Sequence, residues 1–248
     1  MEPAFTPSPG QNHPHQPTDP HLIWGLRSER VDRRFVTRAL VVERLISRWT
    51  KPDWAAADVS GGAGRWLSTL APHFRQFSHL DLSADALQAA QRDHPEFQHV
   101  EFGQIDLVQP QAQQPALSGR IWNAAFCLDT LLYRAPFVEI ALRNIRSYLA
   151  PSGIAIIDMP MQFRSSISRR VKGARYRGPK RTFSPHHALS LVSAAGYECL
   201  ATAYQYRELP TPLHRFLVEQ DLTRLMPWPA TWMCLVLRNP EPIRTDCP

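Results

Sequence analysis

The sequence predicts an α/β fold: a largely parallel sheet with helices on both faces. Three observations carry this. Short apolar runs alternate with helical runs through most of the 248 residues. A glycine-rich stretch at residues 58–65 stands where one apolar run ends and a helix begins. Residues 154–159 (IAIIDM) read as a strand covered on both faces, as strands of a parallel sheet are.

The elements follow in order. Residues 1–20 contain six prolines, Pro3, Pro7, Pro9, Pro14, Pro17 and Pro20, which neither a helix nor a central strand tolerates. Residues 1–21 are therefore expected to form an extended tail, with His13, His15 and His21 solvated rather than metal-binding. Over residues 28–49, Phe35, Leu40, Val41, Val42, Leu45, Ile46 and Trp49 recur at helical spacing, and arginines are expected on the other face. Pro52 closes that segment. Strands are predicted at 54–59, 77–82, 99–102 with Ile105, 121–128, 154–159, 197–206 and 232–237. Between them, helices are predicted over 65–70, 84–92, 137–149 and 213–225, with residues 109–118 as polar loop. Ser83 is a good N-cap for the second of these helices. Another helix starts at Ser184 with Pro185 in its first position and ends at Gly196. The domain is expected to span residues 22–240, with a short tail at 241–248.

Charge is uneven. Lys plus Arg total 28 and Asp plus Glu 22, and eight of the cations lie between Arg164 and Arg181 with no acid among them. Without these eight the chain is near −2, so it is a roughly neutral domain with one basic segment, not a uniformly cationic nucleic-acid coat. The segment, residues 161–183, is too long for a plain strand-to-helix turn and reads as an insertion or lid. It has three readings: solvated arginines, a site for an anionic small substrate, or a nucleic-acid contact. Its aromatics are only Phe163, Tyr176 and Phe183, which disfavours the third.

Other classes fall away. No uncharged apolar run approaches the ~18 residues that span a bilayer, so no membrane association is expected. The start, MEPAFTPSPG, has neither the cationic nor the apolar region of a signal peptide. Cys127, Cys199, Cys234 and Cys247 are far apart, so no CxxC zinc site is indicated, no metal is expected, and reduced thiols in the cytoplasm are the simplest reading.

The chemistry lies in Asp58-Val59-Ser60-Gly61-Gly62-Ala63-Gly64-Arg65. Glycines there permit a tight turn and close approach of a ligand to the main chain. About twenty residues on, the second strand ends in His79-Leu80-Asp81-Leu82-Ser83, where a carboxylate can accept hydrogen bonds from both ribose hydroxyls. Together the two describe a site for a nucleoside-bearing cofactor. The glycine spacing is not that of the dinucleotide pattern GxGxxG.

The string resembles motif I of the class I S-adenosylmethionine-dependent methyltransferases: an acid (Asp58), an apolar residue, then GxGxG. Gly62 and Gly64 match its second and third glycines, and Ser60 stands for the first. Asp81 matches the family's ribose-binding acid. Asp106, with Ile105 beside it, matches the acid after the third strand that commonly faces the adenine amine. Ile121-Trp122-Asn123-Ala124-Ala125 is similar to the family's FDxV strand with Asn123 for Asp, and Leu149-Ala150-Pro151-Ser152-Gly153 to its LkPGG turn with Ser152 for Gly. The resemblance spans roughly residues 30–238. It implies a Rossmann-like, doubly wound sheet of about seven strands with an antiparallel last strand. It implies S-adenosyl-L-methionine as cofactor, bound by Asp58, Ser60, Gly61, Gly62, Gly64, Asp81, Leu82, Ile105, Asp106 and Cys127.

Methyl transfer needs alignment and exclusion of water, and a general base when the acceptor is a hydroxyl or a protonated amine. Asp129 and Tyr133, after the fourth strand, are the candidate catalytic residues. The plainer alternatives are a helix cap or solvated acid for Asp129 and a packing aromatic for Tyr133. His186, His187 and His214 read as exposed, Cys127 also as a small buried hydrophobe, and Trp24, Trp49 and Trp66 as packing groups. The expected function is methyl transfer to a small-molecule acceptor, with an anionic one suggested by the basic segment. The alternatives are an RNA or protein methyltransferase and a catalytically silent scaffold.

Overall fold

The first helix shows how the elements are assembled. In the computed structural model, which describes residues 33–131, 138–161, 183–205, 211–220, 222–224 and 232–241, α1 runs Arg33–Trp49. Val41, Val42, Leu45 and Ile46 form its buried stripe, and Arg44 and Arg48 face solvent as the periodicity predicts. Arg38 departs from that expectation. It lies one turn before Val41 and Val42, on the buried face, and is 8% exposed. Its partners, described below, explain why a cation is tolerated there.

Seven strands follow: β1 Ala55–Asp58, β2 Gln76–Asp81, β3 Val100–Gln104, β4 Trp122–Cys127, β5 Leu149–Pro160, β6 Glu198–Gln205 and β7 Trp232–Arg238. They form one sheet in the order β3-β2-β1-β4-β5-β7-β6. β1 through β5 pair in parallel, and β7 runs antiparallel to both β5 and β6. This is the expected Rossmann-like, doubly wound sheet with an antiparallel last strand. The other helices among the described residues are α2 Leu67–Leu70, α3 Ala84–Asp93, α4 Val138–Ser147, α5 Pro185–Ala194 and α6 Thr211–Glu219. Two apolar layers result. One packs α4 and α5 on the sheet around Leu142, Ile145, Ile157 and Leu235. The other packs α1 and α2 around Val42, Leu70, Phe126 and Val236.

Local chemistry fixes the boundaries. The Ser83 hydroxyl accepts from the Ala86 N–H and starts α3; the Ser184 hydroxyl accepts from the His187 N–H and starts α5. The Asn123 side chain accepts from the Ala55 N–H at 3.1 Å, so the amide that replaces the family's acid ties the start of β1 to β4. The predicted helix at 65–70 is shorter, four residues, and passes into a 3₁₀ turn at Ala71–His73 that carries Pro72. The predicted loop at 109–118 contains two further 3₁₀ turns built around the buried Gln114.

Ser152, in the turn that leads into the core of β5, has φ 61. A side chain there costs about 1 kcal/mol that glycine would not. Its hydroxyl donates to Glu241 Oε1 at 3.2 Å, an exposed contact that returns little. Ser152→Gly is expected to raise stability by ~0.5–1 kcal/mol in denaturant titration. An unchanged or lowered midpoint would show that the Glu241 contact outweighs the strain.

The tails at 1–21 and 242–248 and the basic segment from Gln162 to Thr182 lie outside the described residues.

Candidate active site

Parallel strands bring their C-terminal ends to one edge of a sheet, and the motif residues lie along it. Asp58 ends β1, Asp81 ends β2, Ile105 and Asp106 follow β3, and Cys127 ends β4 with Asp129 just beyond. The register sets Asp58 beside His79 and Phe126, and Asp81 beside Gln104.

The turn after β1 is built on the last three residues of β2. The Gly61 N–H donates to the Leu80 carbonyl at 2.9 Å. The Gly62 N–H donates to Asp81 Oδ2 at 2.9 Å, and the Gly62 carbonyl lies 3.1 Å from His79 Nε2. Gly62 has φ +55 and nothing within 4 Å of where a Cβ would stand. It is therefore glycine for its backbone, and its Cα faces the open side of the turn. Gly61 is glycine for a different reason: a Cβ there would stand 2.0 Å from His79 Cε1. Gly64 is buried and packs on His94.

Asp81 Oδ1 also accepts from the Ser83 N–H at 2.9 Å. Each oxygen thus takes one main-chain bond and keeps a lone pair, and the carboxylate is half-buried at the edge. Leu82 and Asp106 are half-buried there, and Ile105 is buried. Asp106 is held by Gln114, whose Oε1 accepts from the Asp106 N–H at 2.8 Å and whose Nε2 donates to Tyr148 Oη at 3.0 Å. On the floor, the Ser60 hydroxyl donates to Cys127 Sγ at 3.6 Å. Cys127 is fully covered, and burial pushes its thiol well above the ordinary range, so it is not a nucleophile at neutral pH.

Asp58 lies beneath the turn, 1% exposed. Its Oδ1 accepts from the Ser60 N–H at 3.3 Å, while Oδ2 has no hydrogen-bond partner among the described residues. Burial raises its pKa to about 8. The carboxyl is therefore mostly protonated at neutral pH. A folded pKa above the unfolded value contributes stability fully present below about pH 4 and lost as pH rises through about 8. Asp58→Asn is expected to flatten the decline of the melting temperature between about pH 4 and 8. Parallel curves for variant and wild type across that range would refute a buried, protonated Asp58.

The far side of the edge is held by a buried ion cluster. Arg38 Nη1 donates to Asp129 Oδ1 at 2.7 Å, Nη2 to Asp158 Oδ2, and Nε to Gln205 Oε1 at 2.9 Å. Its guanidinium lies 4.4 Å from the Trp232 ring centre and 5.2 Å from that of Trp66. The Asp129 N–H donates to Asp158 Oδ1 at 2.8 Å, and Asp129 Oδ2 accepts from the Trp66 indole at 3.2 Å. Burial opposes charge on Arg38, but Asp129 and Asp158 outweigh it and hold the cation. Burial, with Asp129 adding to it, pushes Asp158 up against the pull of Arg38. Asp129 itself has φ 63 and remains half-buried, 3.8 Å from Arg65 Nη1. A non-glycine residue in that backbone region commonly marks a site held by its surroundings.

The structure thus gathers Ser60, Gly62, Asp81, Leu82, Asp106 and Asp129 as partly exposed groups on one edge, over the covered Asp58, Gly61, Gly64, Ile105 and Cys127. Tyr133 lies outside the described residues, and so does the side chain of His214. Trp49 and Trp66 pack on helix and core as expected. Arg38, Asp158 and His79 are central here and were not singled out in the sequence. A signal existed: each is a polar residue inside an otherwise apolar stripe, where a charge must be paired or neutral. Among the described residues no group of three or more His, Cys, Asp or Glu side chains is placed to hold a metal ion, and no helix is long and apolar enough to cross a membrane.

The donor set fits a nucleoside with a charged tail: an open glycine turn, a carboxylate with free lone pairs beside it, and an apolar wall at Ile105. Residues 57–155 match the family model of a methyltransferase domain. No curated protein matches the sequence. The fold is shared with magnesium protoporphyrin IX methyltransferase from Synechocystis PCC 6803, solved with bound S-adenosylhomocysteine, at 15% identity and a TM-score of 0.59, covering 84% of each chain. It is shared with the N-methyltransferase NodS from Bradyrhizobium japonicum WM9, in complex with S-adenosylhomocysteine, at 14% identity and a TM-score of 0.57, covering 86% of this chain and 90% of that one. The [4+2]-cyclase SpnF is similar too, at 18% identity and a TM-score of 0.55 over 82% of each chain, so the architecture alone does not fix the reaction. The family match and the sheet together identify residues 57–155 as a methyltransferase domain within a class I, Rossmann-like methyltransferase fold.

Proposed function

We propose that this protein transfers the methyl group of S-adenosyl-L-methionine to a small-molecule acceptor, with an anionic acceptor suiting the basic segment between Arg164 and Arg181. The carrying observation is Asp81. Its carboxylate is fixed by the Gly62 and Ser83 N–H groups, and its remaining lone pairs lie at the edge where two ribose hydroxyls would donate. Asp106 would face the adenine amine, with Ile105 and Leu82 as apolar walls. The main chain at Gly62 and Gly64 would hold the methionine end, with Ser60, Gly61 and Cys127 as its floor and Asp58 beneath. Bound there, the cofactor supplies an electrophilic methyl and its own leaving group, so the protein's work is alignment and exclusion of water. Asp129, just beyond β4, would orient an acceptor or take its proton, and Tyr133 is the second candidate for that task. The shared fold of an enzyme acting on magnesium protoporphyrin IX supports a small-molecule acceptor. A cytoplasmic location is in keeping with the widely spaced cysteines.

The test is calorimetric titration with S-adenosylmethionine and S-adenosylhomocysteine. Micromolar binding is expected, weakened by about 100-fold or more in Asp81→Ala, because two charge-assisted hydrogen bonds are lost. Absence of heat and of thermal stabilisation in the wild-type protein would sink the cofactor assignment while leaving the fold intact.

A further inference from the structure

His79 is a buried imidazole in the middle of the cofactor edge, yet it reaches no surface. Its side chain is 0% exposed. The ring lies under Gly61, filling the space a Cβ would need, and meets the Phe102 ring edge-on with centroids 5.4 Å apart. A carbonyl oxygen only accepts, so the 3.1 Å contact with the Gly62 carbonyl requires the proton on Nε2. Nδ1 then carries a lone pair. It has no hydrogen-bond partner among the described residues, and it faces Asp58 Oδ2, likewise without one, at 3.8 Å. A lone pair facing an ionised carboxylate would be repulsive; facing a protonated carboxyl it is compatible. Each ring nitrogen is therefore accounted for by one tautomer, with His79 neutral.

We propose that His79 is a positioning residue for the glycine turn: through Nε2–H it fixes the Gly62 peptide, and through that peptide the Asp81 carboxylate, so that cofactor affinity depends on an imidazole that the cofactor does not touch. The inference deepens the proposed function and rests on it. The chain of contacts is short. His79 holds the Gly62 carbonyl, and the Gly62 N–H holds Asp81 Oδ2. The Leu80 carbonyl holds the Gly61 N–H between them. Three consecutive residues of one strand thus template two residues of the turn. His79 and Asp81 stand two apart, on the same face of β2, which makes the arrangement possible. Burial lowers the His79 pKa, opposed by the bond to Gly62 and by Asp81, which agrees with a neutral ring. The other groups acting on the pair are Asp129 and Asp158 on Asp58 and His94 on His79.

The experiment combines two variants with spectroscopy of the unliganded wild-type chain. His79→Gln can place an amide N–H where Nε2–H is; His79→Leu has similar bulk and no donor. In titration with S-adenosylhomocysteine, His79→Leu is expected to bind about 10- to 100-fold more weakly than wild type, and His79→Gln within about threefold of it. Thermal unfolding of both variants checks that they are folded; a purely structural role would lower both melting temperatures without this split in affinity. Nitrogen-15 NMR of wild-type His79 is expected to show the neutral Nε2–H tautomer at pH 7, and amide exchange at Gly62 is expected to quicken in His79→Leu. Equal affinity in His79→Leu and wild type, equal weakening in both variants, or an Nδ1–H tautomer in wild type would each overturn the proposal. Should the wild type bind no cofactor, the proposed function fails first, and the positioning claim is then judged by the tautomer and the Gly62 exchange rate alone.

Discussion

Replacing Arg38 by methionine is expected to destabilise the protein by about 3–5 kcal/mol, the range for removing one partner of a buried ion pair. For a chain of this size each kcal/mol lowers the melting temperature by roughly 2–4 °C. The reason lies in what remains. Asp158 is fully buried and receives Arg38 and the Asp129 N–H; without the guanidinium it is a carboxylate in an apolar layer. Gln205 loses its Nε donor, and the Trp66 and Trp232 rings lose the cation between them. Asp158 can respond by taking up a proton, which limits the loss in acid. The variant should therefore be nearest to wild type at low pH and fall away as pH rises. Arg38→Met combined with Asp158→Asn should recover about half of the loss at neutral pH, because the second change removes the orphaned charge. Equilibrium denaturation at several pH values reads both effects. A loss below about 1 kcal/mol, with no pH dependence, would mean that the cluster behaves like an exposed pair. Because Arg38 reaches from α1 to the segment after β4, to β5 and to β6 at once, its loss should also free α1 from the edge, visible as faster amide exchange along the helix.

Gly61→Ala is the second large effect. The new methyl would stand 2.0 Å from His79 Cε1, 2.4 Å from Nδ1 and 2.5 Å from Nε2. Overpacking of this kind costs about 1–3 kcal/mol, and here the upper end is expected because the ring has little room to yield. On one side it meets Phe102, and its Nε2 is tied to Gly62. The turn must shift instead, taking the Gly62 N–H away from Asp81. Stability and cofactor affinity should fall together. Removing the ring relieves the clash, so His79→Ala in the same chain should restore most of the stability lost to Gly61→Ala. It should not restore affinity, because the donor to the Gly62 carbonyl is still missing. Thermal unfolding and calorimetry on the single and double variants separate the two readouts. If Gly61→Ala is as stable as wild type, the ring does not fill the space beneath the turn.

Gly61 also shows how a motif can be read correctly for one reason and hold for another. In sequence it belongs to a cofactor turn. In the structure its missing side chain serves a histidine on the neighbouring strand, while Gly62 is the glycine that opens toward a ligand. Spacing along one strand-turn-helix unit is visible in the sequence; the ring packed against it comes from a residue eighteen positions later.

The sequence by itself determined the seven-strand order of events, because each strand and helix carries its own periodicity and its own caps at Ser83, Ser184 and Gly196. It also placed Asp58, Asp81, Asp106, Cys127 and Asp129 at or just past the ends of predicted strands, and so at the sheet's C-terminal edge. These are local properties, set by residues within a turn or two of each other. Only the tertiary structure decided what each of those residues faces. Arg38 read as one more arginine on a helix until the fold laid α1 against β5 and β6, where three partners from distant parts of the chain, Asp129 just beyond β4 among them, meet one guanidinium. His79 read as part of a strand until Gly61 closed over it. Asp129 reads in sequence as a candidate catalytic acid or a helix cap, and only the fold shows Arg38 and Trp66 engaging both of its oxygens. The physical reason is the same in each case: desolvation is set by everything that packs around a group, and that packing is not written in the residues on either side of it.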